Sequence, residues 1–555
     1  MATLQDFRDE RIKKLEKLRD LGIDTYPAKS SRTIGAGEIK RKFEELENTT
    51  QTVAGRIVSL RKFGKLAFIV IRDASGEIQL FIRDGDVENL DATKSQIGIS
   101  ELNLLDTGDF IEANGEIIKT KTGEISVGVK TLRILTKALR PLPGRDGLSN
   151  KEERLRRRYI DMNVNLEVRE RFIRRSKFWQ ATRDFLNERG FNEVNIPVLE
   201  HTTGGADANP FTTHLDALDE DVYLRISHEL PLKRLIGAGF EKVYDIGPRF
   251  RNEGIDDEHL PEHIAMESYA AYQNYEDGMK FYEEMIKYVA QKTWNRSEFV
   301  LARNFAARNK IDEIRENIMK NNSEKSDNLS IENREKLIFD EIKKVAIDDK
   351  ENYFYVNLDQ SWPKISYEKI MFDRFGIDVF AEDTEENREK LRQILRENNR
   401  EFDSTAGVSR LLDNCWKIIR ETSAGPFWLI HEPVSVSPLA KRLVEDNRVT
   451  ERFHPIILGT EMGNGFSELN DPQDQLARFI EQQNLRDAGD KEAMMLDIDF
   501  VEMLEYGLPP TCGWGNSERN FWLLEGVTGR EGVPFPMMRH EISEVTKKIY
   551  PNVKF

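Results

Sequence analysis

Two arginine-centred segments lie far apart in the chain, Phe250-Arg251-Asn252-Glu253-Gly254 and Gly513-Trp514-Gly515-Asn516-Ser517-Glu518-Arg519. A guanidinium is a rigid fork of donors that meets carboxylate or phosphate oxygens in pairs. It neutralises charge building on a phosphoryl group without reorganising. Either segment alone has an ordinary explanation, because an Arg-Asn-Glu turn or a glycine-rich stretch commonly closes a strand or caps a helix. Together and in this order they point to one anion-binding site assembled from both. His259 and His263 also stand four residues apart, a spacing that zinc ligands use. They fall in a polar loop with no cysteine nearby and no third ligand evident, so zinc is not expected.

The hydropathy pattern supplies the elements that must position these residues. Residues 243–251 read as a strand, 252–261 as a polar loop and 264–272 as a returning strand, a hairpin with Arg251 at its turn. Residues 520–525 read as helix after the second arginine segment, 165–189 as a long helix and 193–199 as a short strand. Alternating strand and helix signals continue to the C-terminus, which makes 158–555 an α+β domain, an antiparallel sheet flanked by helices. Within it, 295–351 is rich in Asn, Glu and Lys and is expected to form exposed helices or stay partly disordered. Ahead of this domain, Leu4, Phe7, Ile12, Leu15, Leu18 and Leu21 recur at helical spacing before Gly22, so 1–45 is an amphipathic helical segment. Period-two patterning over 52–60, 66–72, 77–82, 109–118 and 124–135 predicts five strands, a small barrel over 46–140 of the OB-fold kind, whose open face stacks single-stranded bases. Pro141-Leu142-Pro143-Gly144 opens a linker over 141–157.

Composition narrows the function classes. A chain of 555 residues with 39% hydrophobic residues can bury several cores. It has no apolar run of 18 and begins with charged residues, so a membrane partner and a secretory signal are not expected and the reading is cytoplasmic. Cys415 and Cys512 are too few for a disulfide framework. The net charge of −16 argues against non-specific coating of nucleic acid, although basic clusters occur at 154–158 and 169–177.

The arginine segments resemble motifs 2 and 3 of class II aminoacyl-tRNA synthetases, and Gly190-Phe191-Asn192-Glu193-Val194-Asn195-Ile196-Pro197 resembles motif 1, which builds the homodimer interface in that family. Glu461-Met462-Gly463-Asn464-Gly465-Phe466-Ser467-Glu468-Leu469-Asn470-Asp471-Pro472 resembles the lysine-binding strand of lysyl-tRNA synthetases, as do Thr203-Gly204-Gly205-Ala206-Asp207 and Val434-Ser435-Val436-Ser437-Pro438-Leu439-Ala440 their counterparts. The resemblance implies activation of lysine with ATP and transfer to tRNA-Lys. It makes Arg251 and Arg519 catalytic, with Glu253, His259, His263 and Glu461 at ATP and Glu461 holding Mg2+. It gives lysine to Gly205, Glu229, Glu267, Tyr269, Asn464, Phe466 and Glu468, and the anticodon to Arg56, Phe68 and Gln79. The lysine assignment is physically apt: an apolar stem ending in an ammonium wants an aromatic wall and a buried carboxylate. A strand phenylalanine is more often core, and Leu66 and Val70 share a face with Phe68, so its exposure decides that role.

Three positions depart from the family pattern. His454 stands where a second acidic magnesium ligand is expected, which leaves the number of ions open; His263 replaces an adenine-stacking aromatic; and motif 3 is one residue short, so its loop is expected to take another path. Two alternatives share this architecture: a paralogue that lysylates a translation factor, which would lack the barrel, and a non-catalytic RNA-binding regulator, which would have lost the arginines. An aspartyl or asparaginyl enzyme would need a basic residue where Phe466 and Glu468 stand.

Overall fold

The computed structural model describes residues 3–143, 148, 150–324, 331–490 and 492–554. The chain divides into two units, Met1–Leu166 with Met538–Phe555, and Glu167–Met537. Residues 144–147 and 149 of the expected linker lie outside the described residues.

In the first unit five strands close a barrel in the order β1-β2-β3-β5-β4: β1 (Thr50–Phe63), β2 (Leu66–Arg72), β3 (Glu77–Arg83), β4 (Phe110–Lys119) and β5 (Ile125–Thr136). Alternation explains the closure. On β2, Ala67, Ile69 and Ile71 are buried while Leu66, Phe68 and Val70 are half-buried on the outer face. The helix Leu4–Asp20 starts at a Thr3–Asp6 capping box and lays Arg11, Leu15 and Leu18 inward. Phe7 and Leu21 of the expected apolar stripe are exposed instead. Arg11 takes the inner place because its guanidinium donates to the Thr107 and Ala138 carbonyls, each at 3.0 Å.

Two boundaries differ from expectation. The stretch 141–157 is not linker throughout: Asn150 accepts from the Glu153 amide and caps the helix Lys151–Arg156. Residues 538–555 belong to the barrel's unit rather than to the catalytic one. Tyr550 holds them there, its ring lying 5.6 Å from the Arg8 guanidinium and 5.7 Å from that of Arg140.

The strands of the second unit are β6 (Asn192–Glu193), β7 (Leu199–Glu200), β8 (Thr212–Leu215), β9 (Glu220–Leu224), β10 (Lys242–Phe250), β11 (Glu262–Ala271), β12 (Glu298–Ala302), β13 (Tyr353–Asn357), β14 (Lys364–Ser366), β15 (Phe427–Ile430), β16 (Arg452–Ile457), β17 (Thr460–Glu461), β18 (Asn464–Ser467) and β19 (Thr511–Ser517). Among the described residues the main sheet has nine strands in the order β14-β15-β16-β18-β19-β11-β10-β6, with β17 on β16. Apart from β6 on β10 and β14 on β15, each a parallel pair, its neighbours are antiparallel. The strand expected over 193–199 is broken into two short pieces, since Pro197 has no N–H to give to a ladder. The helices Leu166–Glu188 and Tyr275–Trp294 cover the sheet with Phe178, Trp179, Phe185, Met279, Tyr282 and Met285. Each such side chain contributes about 1.5–3 kcal/mol on full burial.

Within the polar stretch 295–351 the described residues are mostly helical, one of the two states its composition allows. Strands β12 and β13 pair, and helices Phe305–Glu324 and Ile331–Asp348 flank them. Ile338, Ile342 and Ala346, four residues apart, form a buried stripe within the second helix.

Candidate active site

On β11, Glu267 and Tyr269 are two residues apart and share one face; on β18, Asn464 and Phe466 do the same. Strand β19 runs between them, and its register sets Gly513 beside Tyr269 and Phe466, and Gly515 beside Glu267 and Asn464. A Cβ on Gly513 would lie 2.2 Å from Tyr269 Cε1 and 2.3 Å from Glu468 Oε1; one on Gly515 would lie 3.0 Å from Glu267 Cγ. Gly513 makes room for Tyr269 and Glu468. Over this floor opens a cavity of about 310 Å³ bordered by Gly205, Glu229, Arg251, Glu267, Tyr269, Asn464, Phe466 and Arg519. Gly205 has φ +84°, and a Cβ there would sit 2.7 Å from both Glu229 Cβ and Ser227 Oγ.

Three carboxylates converge at one end. Glu267 accepts from Ser227 Oγ at 2.8 Å, the His228 amide at 3.1 Å and the Tyr269 hydroxyl at 3.3 Å. Burial alone would raise its pKa; hydrogen bonding and charge from His228, with Arg249, hold it down to about 2. Glu229 opens the helix Glu229–Gly237, and Lys233 one turn later places its ammonium 2.5 Å from Glu229 Oε1 and against Glu468, 5.1 Å from the centre of the Phe466 ring. Glu468 is 1% exposed and stands behind the cavity wall; beyond that ammonium neither of its oxygens finds a donor among the described residues. Glu229 and Glu468 thus share one internal cation. Burial, offset only in part by Lys233, pushes both carboxyls upward, Glu468 well above the usual range.

Arg251 and Arg519 meet at the other end. Both border the large cavity and an adjoining one of about 90 Å³, which Arg249, Glu253, His259 and His263 also line. The Nε of Arg251 and that of Arg519 are buried without a hydrogen-bond partner among the described residues, and Arg519 touches Glu258. Burial, and the neighbouring Arg251 charge, push Arg249 down to about 9 and Arg519 to about 10. All three remain cations at neutral pH, so an anion there would relieve an unfavourable crowding of charge. His263 is half-buried: Arg249 Nε donates to its Nε2 at 2.7 Å while its Nδ1 faces the Leu260 carbonyl at 3.3 Å. Burial, then Arg249 and Arg251, keep its pKa well below the usual imidazole value. His259 is exposed and pairs with Asp256 at 2.8 Å. Strand β19 continues to Ser517, whose Oγ accepts from the Arg519 amide at 3.3 Å, and the helix Arg519–Glu525 begins directly. Glu518 is anchored below by the Ile264 amide at 2.9 Å and by Arg175 at 2.6 Å.

Magnesium takes oxygen ligands and needs only one or two protein carboxylates besides substrate phosphates. Glu461 suits one ion: it borders the cavity, its side chain is 27% exposed, and its Oε1 accepts from Trp416 Nε1 at 2.6 Å, leaving Oε2 for a ligand. No acid joins it from position 454. Among the described residues no three His, Cys, Asp or Glu side chains are grouped to hold a metal.

In the barrel, Phe68 is on the outer face, its ring 5.5 Å from that of Phe81 and 6.4 Å from that of exposed Phe63. Gln79 lies on the neighbouring strand opposite Val70 and donates to Ser126 Oγ at 3.0 Å. Arg56 is further along, its guanidinium 4.3 Å over the Phe110 ring and donating to the Gly108 carbonyl; register sets Arg61 opposite Phe68. Lys233, Arg249, Phe63 and Phe81 were not anticipated. Their signals were present: Glu229 and Lys233 are four apart on a helix, and Arg249 and Arg251 alternate along a strand.

Residues 150–539 match the family model for class II tRNA synthetases (D, K and N), and residues 51–135 match that for the OB-fold nucleic acid binding domain. The chain is 39% identical to a lysine--tRNA ligase of Fervidobacterium nodosum, over 97% of this chain and 95% of the relative. It is 38% identical to that of Thermotoga maritima, over 97% and 96%, and 37% identical to that of Enterococcus faecalis, over 97% and 99%. With 390 of its 555 residues inside the synthetase model and full-length relatives well above 30% identity, the chain belongs to the class II tRNA synthetases.

Proposed function

We propose that this protein is a lysine--tRNA ligase. The observation that carries the reading is the pair of buried carboxylates, Glu229 and Glu468, with a single internal ammonium between them, beside an aromatic wall and a cluster of buried arginines. Such a pocket is one cation short, and lysine brings that cation on an apolar stem long enough to run along Phe466 and Tyr269. Asn464, Gly205 and Glu267 border the part of the cavity where the α-amino end would lie.

With the substrate carboxylate at Arg251, one of its oxygens attacks the α-phosphorus of ATP, the bond to the β,γ-diphosphate breaks, and lysyl-adenylate and pyrophosphate result. Arg251 and Arg519 stabilise the charge that develops on the phosphoryl oxygens, Arg519 from the γ-phosphate side. Their fixed guanidiniums need no rearrangement as it appears. Glu253, His259 and His263 line the adjoining space for the rest of the nucleotide. Mg2+ held by Glu461 would neutralise the phosphates. The terminal ribose hydroxyl of tRNA-Lys then attacks the adenylate carbonyl and AMP leaves.

The barrel favours tRNA over a protein acceptor, because Phe68, Phe63 and Phe81 give its outer face an aromatic platform for unpaired bases. Arg56 and Gln79 flank that platform for the anticodon. A regulator without catalysis is disfavoured by the intact arginines. A homodimer built on the motif 1 segment and a cytoplasmic location complete the proposal; among the described residues no helix is long and apolar enough to cross a membrane. Pyrophosphate exchange in the absence of tRNA tests the pocket: it should depend on lysine and collapse in Glu468→Gln. Undiminished exchange in that variant would remove Glu468 from lysine recognition.

A further inference from the structure

His454 pairs with Leu429 across β15 and β16, and is 4% exposed at the cavity edge near Glu461. Both of its ring nitrogens are turned to protein oxygens. Nε2 is 3.2 Å from Glu432 Oε2, while Nδ1 is 3.2 Å from the Gly463 carbonyl and 3.8 Å from Glu461 Oε2. Glu432, two residues beyond β15, is 8% exposed, and the same Oε2 receives Arg452 NH1 at 2.8 Å. Arg452 is fixed in turn by Asn464 Oδ1, the Val436 carbonyl and Ser437 Oγ. One oxygen of the carboxylate nearest the position expected to hold an acid, Glu432 Oε2, is therefore held by two internal partners, and Arg452 puts a permanent positive charge on the cavity wall beside it. Glu461 is left as the carboxylate of this edge with an oxygen toward the cavity.

We propose that this chain anchors one divalent cation, at Glu461, and that the Glu432–His454–Arg452 cluster occupies the place where a second anchoring carboxylate would stand. The cluster closes that position structurally: it presents ring nitrogens already engaged by oxygens and a guanidinium, neither of which is a ligand for magnesium. The inference rests on the reading that the cavity binds lysine and ATP, and it concerns how many ions accompany them.

Manganese can be counted directly by electron paramagnetic resonance, titrating Mn2+ into the full-length protein saturated with lysine and a non-hydrolysable ATP analogue. His454→Glu, which restores the acid, should take up one ion more per active site than the parent protein under the same conditions. Equal stoichiometry would overturn the proposal. Should His454→Glu fail to fold, anomalous diffraction from Mn2+ in crystals of the parent complex decides independently: a metal at Glu461 with none on His454 or Glu432 supports it, and a metal bound by either of those residues overturns it. Failure of the parent protein to bind the nucleotide analogue at all would instead refute the ATP-site reading on which the inference stands.

Discussion

Gly513→Ala probes the pocket floor with a single methyl group. The new Cβ would stand 2.2 Å from a Tyr269 ring carbon and 2.3 Å from a Glu468 oxygen, both more than 1 Å short of the 3.4 Å at which ordinary contact begins. Both neighbours are held in place, since the Tyr269 hydroxyl donates to Glu267, Glu468 is tied to Lys233, and they are 3% and 1% exposed. Either they move by about an ångström or β19 is pushed from its ladder with β11. Misplacement on that scale costs about 100-fold in rate, or about 2.7 kcal/mol of transition-state binding. Overpacking of this kind also lowers stability by about 1–3 kcal/mol. Gly515→Ala supplies the internal control, because its Cβ would be 3.0 Å from Glu267 Cγ, a contact relieved by a few tenths of an ångström. The assay is lysine-dependent pyrophosphate exchange, with binding of an ATP analogue measured separately to show that each variant is folded. Gly513→Ala should lose about 100-fold in kcat/KM for lysine and Gly515→Ala much less. The reverse order, or a normal KM for lysine in Gly513→Ala, would refute the proposed floor.

Lysine binding should release protons. Burial, offset only in part by the one ammonium that Glu229 and Glu468 share, raises their carboxyls; the substrate ammonium favours the ionised form. Between the ordinary carboxylate pKa and the raised one, affinity for lysine should therefore increase with pH, and the calorimetric binding enthalpy should depend on the ionisation enthalpy of the buffer. A buffer-independent enthalpy would contradict the shared-cation description. Phe68→Ala should raise the KM for tRNA by about 5- to 150-fold, the equivalent of about 1–3 kcal/mol for one stacked base, and leave tRNA-independent exchange unchanged; an unaltered KM for tRNA would remove Phe68 from recognition.

The elements that carry chemistry were readable because their periodicity is clean. The hairpin around Arg251 and the five barrel strands follow from period-two patterning, and β10 and β11 end within two residues of where the pattern places them. What could not be read depends on partners distant in sequence. Lys233 looks like a surface residue of a charged helix until the fold brings Glu468 to it. Gly513 and Gly515 read as turn formers, although their role comes from lying beside Tyr269 and Glu267 on a neighbouring strand. Phe68 could not be assigned to core or surface from β2 alone, since both faces of that strand are apolar; closure of the barrel turned Ala67, Ile69 and Ile71 inward. The polar 295–351 stretch concealed a buried stripe too sparse to stand out against its charges. At His454 the departure from the family pattern was visible, but its consequence required Glu432, which arrives from another strand connection.

The central claim, a site shaped for lysine and ATP, is tested most directly by measuring ATP–pyrophosphate exchange with each of the twenty amino acids in the absence of tRNA. The account predicts exchange with lysine and little with any other amino acid, aspartate, asparagine and arginine included, because lysine brings a compact ammonium on an apolar stem to Glu229 and Glu468, where arginine brings a broader planar guanidinium. Exchange driven by aspartate or asparagine, or no exchange with lysine, would contradict it.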